Sequence, residues 1–308
     1  MEQARESIQA LLDQEEKYYK CSDYMHSTVE RPRCSPLHVV LQCANLVTDG
    51  SWAPTVDADT ALLQSPTSMS KFASSESLQG LLTTPVSPRS VAPCQVDDDV
   101  LQEPSLSMWR SQMFDWACTV TDNFQIDREV IAIAFSILDR YVEIENRSEC
   151  SVSRVDFQLF AMVSMYLAIK TSLSQRKMSV EVLIDMSRGF YTYDDIVLTE
   201  RDILAALDWH VNPPTGIGCC RLYMQLFHTT LSNNAEATCQ EISELAVSDS
   251  YFISKSDSSV ALAVILLMAR REGISLSETQ LFMDNLEGLV NVVDLDFEAT
   301  FRRLESLC

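Results

Sequence analysis

The chain has 308 residues, of which 46% are hydrophobic, so it is long enough for two ordinary domains with separate cores. Its formal net charge of −21 at pH 7 repels nucleic-acid phosphate and anionic membranes, so we expect neither as a partner. Ten cysteines without a CxxC pair, a start without a signal-peptide pattern and apolar runs too short for a bilayer predict a soluble protein of a reducing compartment, without metal or cofactor.

The first predicted element is an N-terminal helix within residues 1–25, with the sequence ARESIQALLDQEEKYY (4–19). Its apolar side chains recur at helical spacing and share one stripe, while its acidic residues are expected to point elsewhere. The stripe consists of Ile8, Leu11, Leu12 and Tyr19.

A segment rich in serine, threonine and proline comes after this helix. Between residues 50 and 95, these three types make up nineteen of forty-six residues. Such a composition buries too little apolar surface to offset the entropy cost of ordering. We therefore predict a long disordered, acidic insertion over residues 26–106.

Helical periodicity continues to the end of the chain, so the sequence predicts an all-α fold. In the first domain, Ser153 is placed to cap the third helix, and Thr192 with Asp195 forms an acidic capping box for the fifth. The third helices of both domains are apolar on nearly every side. We predict two five-helix domains, each wrapped around its third helix, at 107–215 and 216–308. The predicted helices are 108–122, 128–144, 157–170, 179–189 and 192–209, then 219–231, 235–249, 256–271, 277–290 and 297–306.

Four motifs in order resemble the cyclin box: MWRSQMFDW (108–116), ILDRYV (137–142), LAIKTSL (167–173) and LTERDILAALDWHVNPPT (198–215). The stretch 245–269 is similar, more loosely, to the C-terminal cyclin fold. The resemblance implies two tandem cyclin folds and a non-catalytic regulatory subunit that binds and activates a cyclin-dependent protein kinase in the nucleus or cytoplasm. The segment ESIQALLDQEEKYYKCSDYM (6–25) is similar to the region before the box in D-type and diatom-type cyclins.

In cyclins, the lysine and the glutamate at the positions of Lys170 and Glu200 face the kinase and bond to backbone groups near its PSTAIRE helix. A lysine donates to carbonyls and a glutamate accepts from amides, which suits that role. The resemblance also places Leu167, Leu204 and Val211 near the kinase interface. The alternatives are that Lys170 satisfies the last carbonyls of its own helix and that the three apolar residues are ordinary core.

Two further sets of residues match the family. Arg110 and Asp139 are expected to form a partly buried structural pair. The substrate-docking patch that reads RxL motifs in some cyclins corresponds to positions including Trp109, Met113, Trp116 and Gln158. Polar residues replace family residues at Gln112 and Thr119, so we expect weak RxL docking.

The insertion contains candidate phosphorylation sites at Ser65, Thr84 and Ser87, each followed by proline. A phosphate adds about −1.5 to −2 charges to such a segment. LLTTP (81–85) resembles a phosphodegron, which implies a ubiquitin ligase as a partner. The alternative is a solvated linker whose Ser/Thr-Pro pairs reflect composition alone.

Two other functional classes remain open. One is a cyclin-fold scaffold, or a module like the core of a general transcription factor, that binds other proteins without a kinase. The acidic charge argues against the version that binds DNA. The other is an enzyme, for which the sequence offers no catalytic loop, P-loop or triad. We therefore expect no catalytic residues.

Overall fold

The computed structural model describes residues 2–25, 105–147, 152–172, 178–228, 230–286 and 297–308. Over these ranges every regular element is a helix, which confirms the all-α prediction. The elements are α1 (Glu2–Tyr18), α2 (Leu106–Phe124), α3 (Glu129–Arg147), α4 (Arg154–Thr171), α5 (Val180–Met186), α6 (Tyr193–Ala206), α7 (Gly216–Met224), α8 (Ala235–Ser248), a 3₁₀ turn (Ser250–Phe252), α9 (Asp257–Arg271), α10 (Leu276–Leu286) and α11 (Phe297–Leu307).

The helix α4 is the centre of the first fold, as its sequence predicts. Every residue from 159 to 169 is buried, and α2, α3 and α6 pack around it. Its start is capped by Ser153, whose hydroxyl accepts from the backbone N–H of Asp156 at 3.2 Å. The predicted box at the start of α6 also forms, because Thr192 accepts from the N–H of Asp195 and donates its own N–H to that carboxylate.

The helix α9 has the same role in the second fold. Residues 260–265 are all buried, and α7, α8 and α11 pack around them. Three cysteines of this core, Cys219, Cys220 and Cys239, are buried free thiols, as the scattered cysteines predict.

The helix α7 begins three residues earlier than its apolar pattern predicts, and it ends at Met224 instead of residue 231. The reason lies in the linker before it. The hydroxyl of Thr215 accepts from the N–H of Gly218 at 3.0 Å, so Thr215 is the N-cap and Gly216 is the first helical residue.

The N-terminal helix α1 packs against α7 of the second fold, where Ala4 and Ile8 join the core. The expectation that its acidic residues point away from the packed stripe is wrong for Glu15, which is only 6% exposed. The Glu15 carboxylate accepts from the backbone N–H of Ser258, at 3.1 Å, in the first turn of α9. A carboxylate is favourable there because a helix leaves its first N–H groups unpaired.

The predicted disordered insertion lies almost wholly outside the described residues. Its predicted end at residue 106 overlaps α2, which begins at Leu106. Within the described ranges, no helix is long and apolar enough to cross a membrane. The same ranges contain no group of three or more histidine, cysteine, aspartate or glutamate residues placed to hold a metal ion.

Candidate functional site

The residues Lys170 and Glu200 come together on the surface of the first fold. Lys170 lies in the last turn of α4 and Glu200 in the middle of α6, and the packing of these two helices brings the side chains together. The ammonium Nζ donates to Glu200 Oε1 at 2.7 Å and lies 5.3 Å from the centre of the Tyr166 ring. The Lys170 side chain is 53% exposed, so its charged end remains in water.

Three carbonyls near the end of α4 accept hydrogen bonds from Thr171 and Ser172 and none from the Lys170 side chain. The hydroxyl of Thr171 donates to the carbonyl of Leu167 at 2.9 Å. The backbone N–H and the hydroxyl of Ser172 donate to the carbonyls of Ala168 and Ile169, each at 2.9 Å. The Lys170 ammonium instead donates to Glu200.

The Lys170–Glu200 pair has hydrogen-bonding capacity to spare. The hydrogen bond from Lys170 to Glu200 raises the pKa of the lysine above its ordinary value, so the ammonium stays charged at neutral pH. Lysine carries three donors and a carboxylate has about four acceptor sites, so one shared bond leaves both groups able to bind a partner. The Lys170 side chain is 53% exposed and that of Glu200 is 13% exposed, so the pair lies at the surface, where ion pairs add about 0–1 kcal/mol to stability.

The three apolar residues assigned to the kinase interface have different environments. Leu167 and Val211 are 2% and 7% exposed and belong to the first core, which is the ordinary-core alternative. Leu204 is only partly buried and lies one turn beyond Glu200 on α6. Of the three, Leu204 is therefore the side chain best able to contact a partner directly.

The exposed residue Trp209 was missed by the sequence reasoning. It is 72% exposed, an unusual environment for so large an apolar side chain. The backbone N–H of Trp209 donates to the carbonyl of Leu204 at 2.9 Å, and the backbone N–H of Asp208 donates to the carbonyl of Ala205. These two hydrogen bonds form a Schellman motif at the end of α6. Asp208 and Trp209 have φ angles of 48° and 64°, a left-handed conformation that is costly for residues other than glycine. The available signal was a tryptophan at a helix end, shortly before NPPT.

The candidate docking patch is only partly assembled on the surface. Met113 is 1% exposed and belongs to the core, while Trp109 and Trp116 are partly buried. The Gln158 amide oxygen accepts from the hydroxyl of Tyr191 at 3.3 Å, which occupies part of its hydrogen-bonding capacity.

Gln112 is the polar substitution at the centre of the expectation of weak docking. The side-chain oxygen of Gln112 is buried and has no hydrogen-bond partner among the described residues. A polar atom of this kind makes the patch less suitable for an apolar peptide side chain.

The pair Arg110–Asp139 forms, and it is more deeply buried than expected. The two residues are 3% and 5% exposed, and two N–H groups of the guanidinium donate to the two carboxylate oxygens at 3.0 and 2.9 Å. The remaining arm of Arg110 donates to the carbonyl of Val247 in α8 at 2.7 Å, so this arginine joins the two folds. The hydroxyl of Tyr24 donates to Asp139 at 2.7 Å and attaches the N-terminal segment to the same carboxylate. The phosphorylation candidates Ser65, Thr84 and Ser87 lie outside the described residues.

Two helical folds of this kind, with α4 and α9 as their buried centres, define a protein with tandem cyclin folds. A viral cyclin from herpesvirus saimiri has a similar solved structure, with a TM-score of 0.53 at 16% identity, covering 67% of this chain and 86% of the viral chain. Residues 89–212 match the family model described as the cyclin N-terminal domain.

Known cyclins also resemble the sequence. The chain is 29% identical to the G1/S-specific cyclin-E of Drosophila melanogaster over 150 residues, which is 46% of this chain and 19% of that protein. It is 25% identical to cyclin-A3-3 of Arabidopsis thaliana over 173 residues, or 55% of this chain and 51% of that protein. Residues 89–212 thus resemble the cyclin N-terminal domain, and the chain is similar to known cyclins. The matched region spans about half of the plant relative and a fifth of the fly relative, and the nearer resemblance to D-type or diatom-type cyclins stays a prediction.

Proposed function

We propose that this protein is a regulatory subunit that binds and activates a cyclin-dependent protein kinase in cell-cycle control. The observation that carries the proposal is the Lys170–Glu200 pair, which presents spare donors and acceptors at the edge of the first fold. Two relatives are named for phases of the cell cycle, G1/S-specific cyclin-E and G2/mitotic-specific cyclin-B3, both of Drosophila melanogaster.

The proposed surface combines polar and apolar contacts. Lys170 donates to kinase carbonyls and Glu200 accepts from kinase amides, while Leu204 and the exposed Trp209 supply apolar area beside them. Hydrogen bonds to charged groups are worth about 1.5–3 kcal/mol each, and large aromatic side chains often dominate binding energy at interfaces. These four residues form the centre of the proposed interface.

Activation results from binding if the cyclin prefers the active conformation of the kinase. Phosphoryl transfer requires a Lys–Glu ion pair in the kinase and an ordered activation loop. A partner with higher affinity for the conformation in which both are in place shifts the population towards it. In this scheme the chemistry belongs to the kinase, and the cyclin supplies binding energy.

We further propose that the acidic insertion controls turnover. Phosphorylation at Ser65, Thr84 or Ser87 would create a signal for a ubiquitin ligase. Residence in the nucleus as well as the cytoplasm is proposed from the family resemblance alone. Replacing Thr84 by alanine should lengthen the protein's half-life in a cycloheximide chase. An unchanged half-life would contradict the degron.

The test of kinase binding compares wild type with the Lys170→Ala/Glu200→Ala double variant in an affinity pull-down from native lysate. The matched control is Glu298→Ala/Arg302→Ala, which removes an exposed ion pair on α11 in the second fold. We expect wild type and control to recover a cyclin-dependent kinase and its activity, and the double variant to lose at least ~10-fold of it, as two charged hydrogen bonds predict. Recovery of no such kinase by wild type would favour the scaffold alternative.

A further inference from the structure

The linker between α6 and α7 carries Trp209, a residue of the proposed docking face, in a strained conformation. Asp208 and Trp209 both have positive φ angles, and such conformations persist only where the surroundings hold them. His210, the next residue, contacts an element far away in the sequence. The groups that hold His210 therefore help to decide where Trp209 points.

Two aromatic residues at the end of α1 contact this linker. The Tyr18 ring stacks on the imidazole of His210, with centroids 4.1 Å apart and an interplanar angle of 16°. The Tyr19 ring meets the same imidazole edge-on, at 6.2 Å and 80°. The end of the N-terminal helix thus contacts the linker at His210, the residue that follows Trp209.

The side chain of Arg140 holds the backbone of the same residue. This arginine of α3 is 5% exposed, and its guanidinium donates to the carbonyl of His210 at 2.8 Å. A second bond to the carbonyl of Ser136, at 3.1 Å, fixes the guanidinium to its own helix. The Tyr19 ring lies 4.8 Å from the guanidinium carbon, within the range of a cation–π interaction. His210 is therefore held at its carbonyl by α3 and at its ring by α1.

The stack is not required to attach α1 to the protein. Ile8, which is 1% exposed, and the buried Glu15 already anchor that helix on the second fold. Tyr18 itself is 39% exposed, so its ring adds little to the core. Its clearest contact is with a residue next to the strained turn.

We infer that Tyr18 is a positioning residue for the kinase-docking face: by stacking on His210, it holds the Asp208–Val211 segment so that Trp209 faces outward beside Leu204. The inference rests on the proposed function for its kinase partner. It also gives the N-terminal helix a role in partner binding that acts through the linker and requires no contact between Tyr18 and the kinase.

The first measurement uses the full chain without a kinase. Hydrogen exchange is monitored in peptides covering residues 207–212. In this segment the backbone N–H of His210 donates to the carbonyl of Leu207, and that of Val211 donates to the carbonyl of Trp209. Tyr18→Leu should accelerate exchange there roughly two- to tenfold, since an aromatic pair contributes that much to an equilibrium. Tyr18→Phe, which retains the ring, should behave as wild type. Tyr193→Leu is the matched control, because Tyr193 is 53% exposed at the opposite end of α6.

The second measurement is the affinity of the same variants for the kinase recovered by wild type. Tyr18→Leu should weaken kinase binding by roughly the same factor by which it accelerates hydrogen exchange. Tyr18→Phe should bind the kinase as tightly as wild type. The inference is overturned if Tyr18→Leu leaves the exchange rate of residues 207–212 unchanged. It is also overturned if Tyr18→Leu accelerates that exchange but binds the kinase as tightly as wild type. If wild type binds no kinase, the proposed function fails, and the exchange result alone decides whether Tyr18 positions the linker.

Discussion

Replacing Asp139 by asparagine tests the buried pair that joins the two folds. Asparagine has nearly the same shape, so the change removes the charge without leaving a cavity. The Arg110 guanidinium would remain buried, with the Val247 carbonyl and one amide oxygen as its acceptors. Tyr24 would lose a charged acceptor at the same site.

The expected loss of stability is large because both members of the pair are desolvated. Breaking a buried ion pair from one side costs about 3–5 kcal/mol, and the retained amide oxygen places Asp139→Asn near the lower end, about 3 kcal/mol. For a folded unit of roughly 200 residues, this lowers Tm by about 6–12 °C. The matched control is Asp202→Asn. Asp202 pairs with Arg201 on the surface, with both side chains more than half exposed, so the loss should stay below about 1 kcal/mol.

The measurement is urea denaturation monitored by far-ultraviolet circular dichroism and by tryptophan fluorescence. Coincident transitions would show that the two folds unfold together, which the Arg110 bond across them favours. Arg110→Met combined with Asp139→Asn should recover part of the loss, because the double variant no longer buries an unpaired charge. A stability of Asp139→Asn within about 1 kcal/mol of wild type would refute the reasoning that the pair is desolvated.

Two further predictions concern a helix cap and the carboxyl of Asp257. Thr192→Ala removes the N-cap of α6 and should lower the free energy of unfolding by about 1 kcal/mol. The control, Ser105→Ala, should cost less, because Ser105 makes no side-chain cap bond at the start of α2. Equal losses would contradict the assignment of Thr192 as a stabilising cap. Burial, with the neighbouring Glu15 carboxylate, raises the pKa of Asp257 to about 8. The unfolded chain releases this proton near pH 4, so the contribution of Asp257 to stability is present at low pH and is lost as pH rises towards about 8. Asp257→Asn should therefore gain Tm relative to wild type between about pH 5 and about pH 8, and a relative loss would show that Asp257 is ionised in the fold.

The local features of the molecule were available from the sequence. The helical character of the chain and the burial of α4 and α9 follow from the periodicity of apolar residues. The caps at Ser153 and Thr192 depend on contacts within three residues, which the sequence displays directly. The cyclin motifs added the pairing of Arg110 with Asp139 and the placement of Lys170 with Glu200. Their partners lie about thirty residues apart and became predictable only through the family resemblance.

Contacts between distant segments were decided by the tertiary structure. Glu15 reads as a solvated acid on a polar face, yet it binds the start of a helix 243 residues away. Nothing near Arg110 in the sequence indicates that its third arm reaches α8, and nothing near Trp209 indicates that Tyr18 and Arg140 fix the next residue. Hydrophobic patterning determines which face of a helix is buried, but it does not state which other helix covers that face. The packing of α1 against the two folds determines which helices cover each other. The same packing brings together the charged and aromatic groups that the proposed function uses.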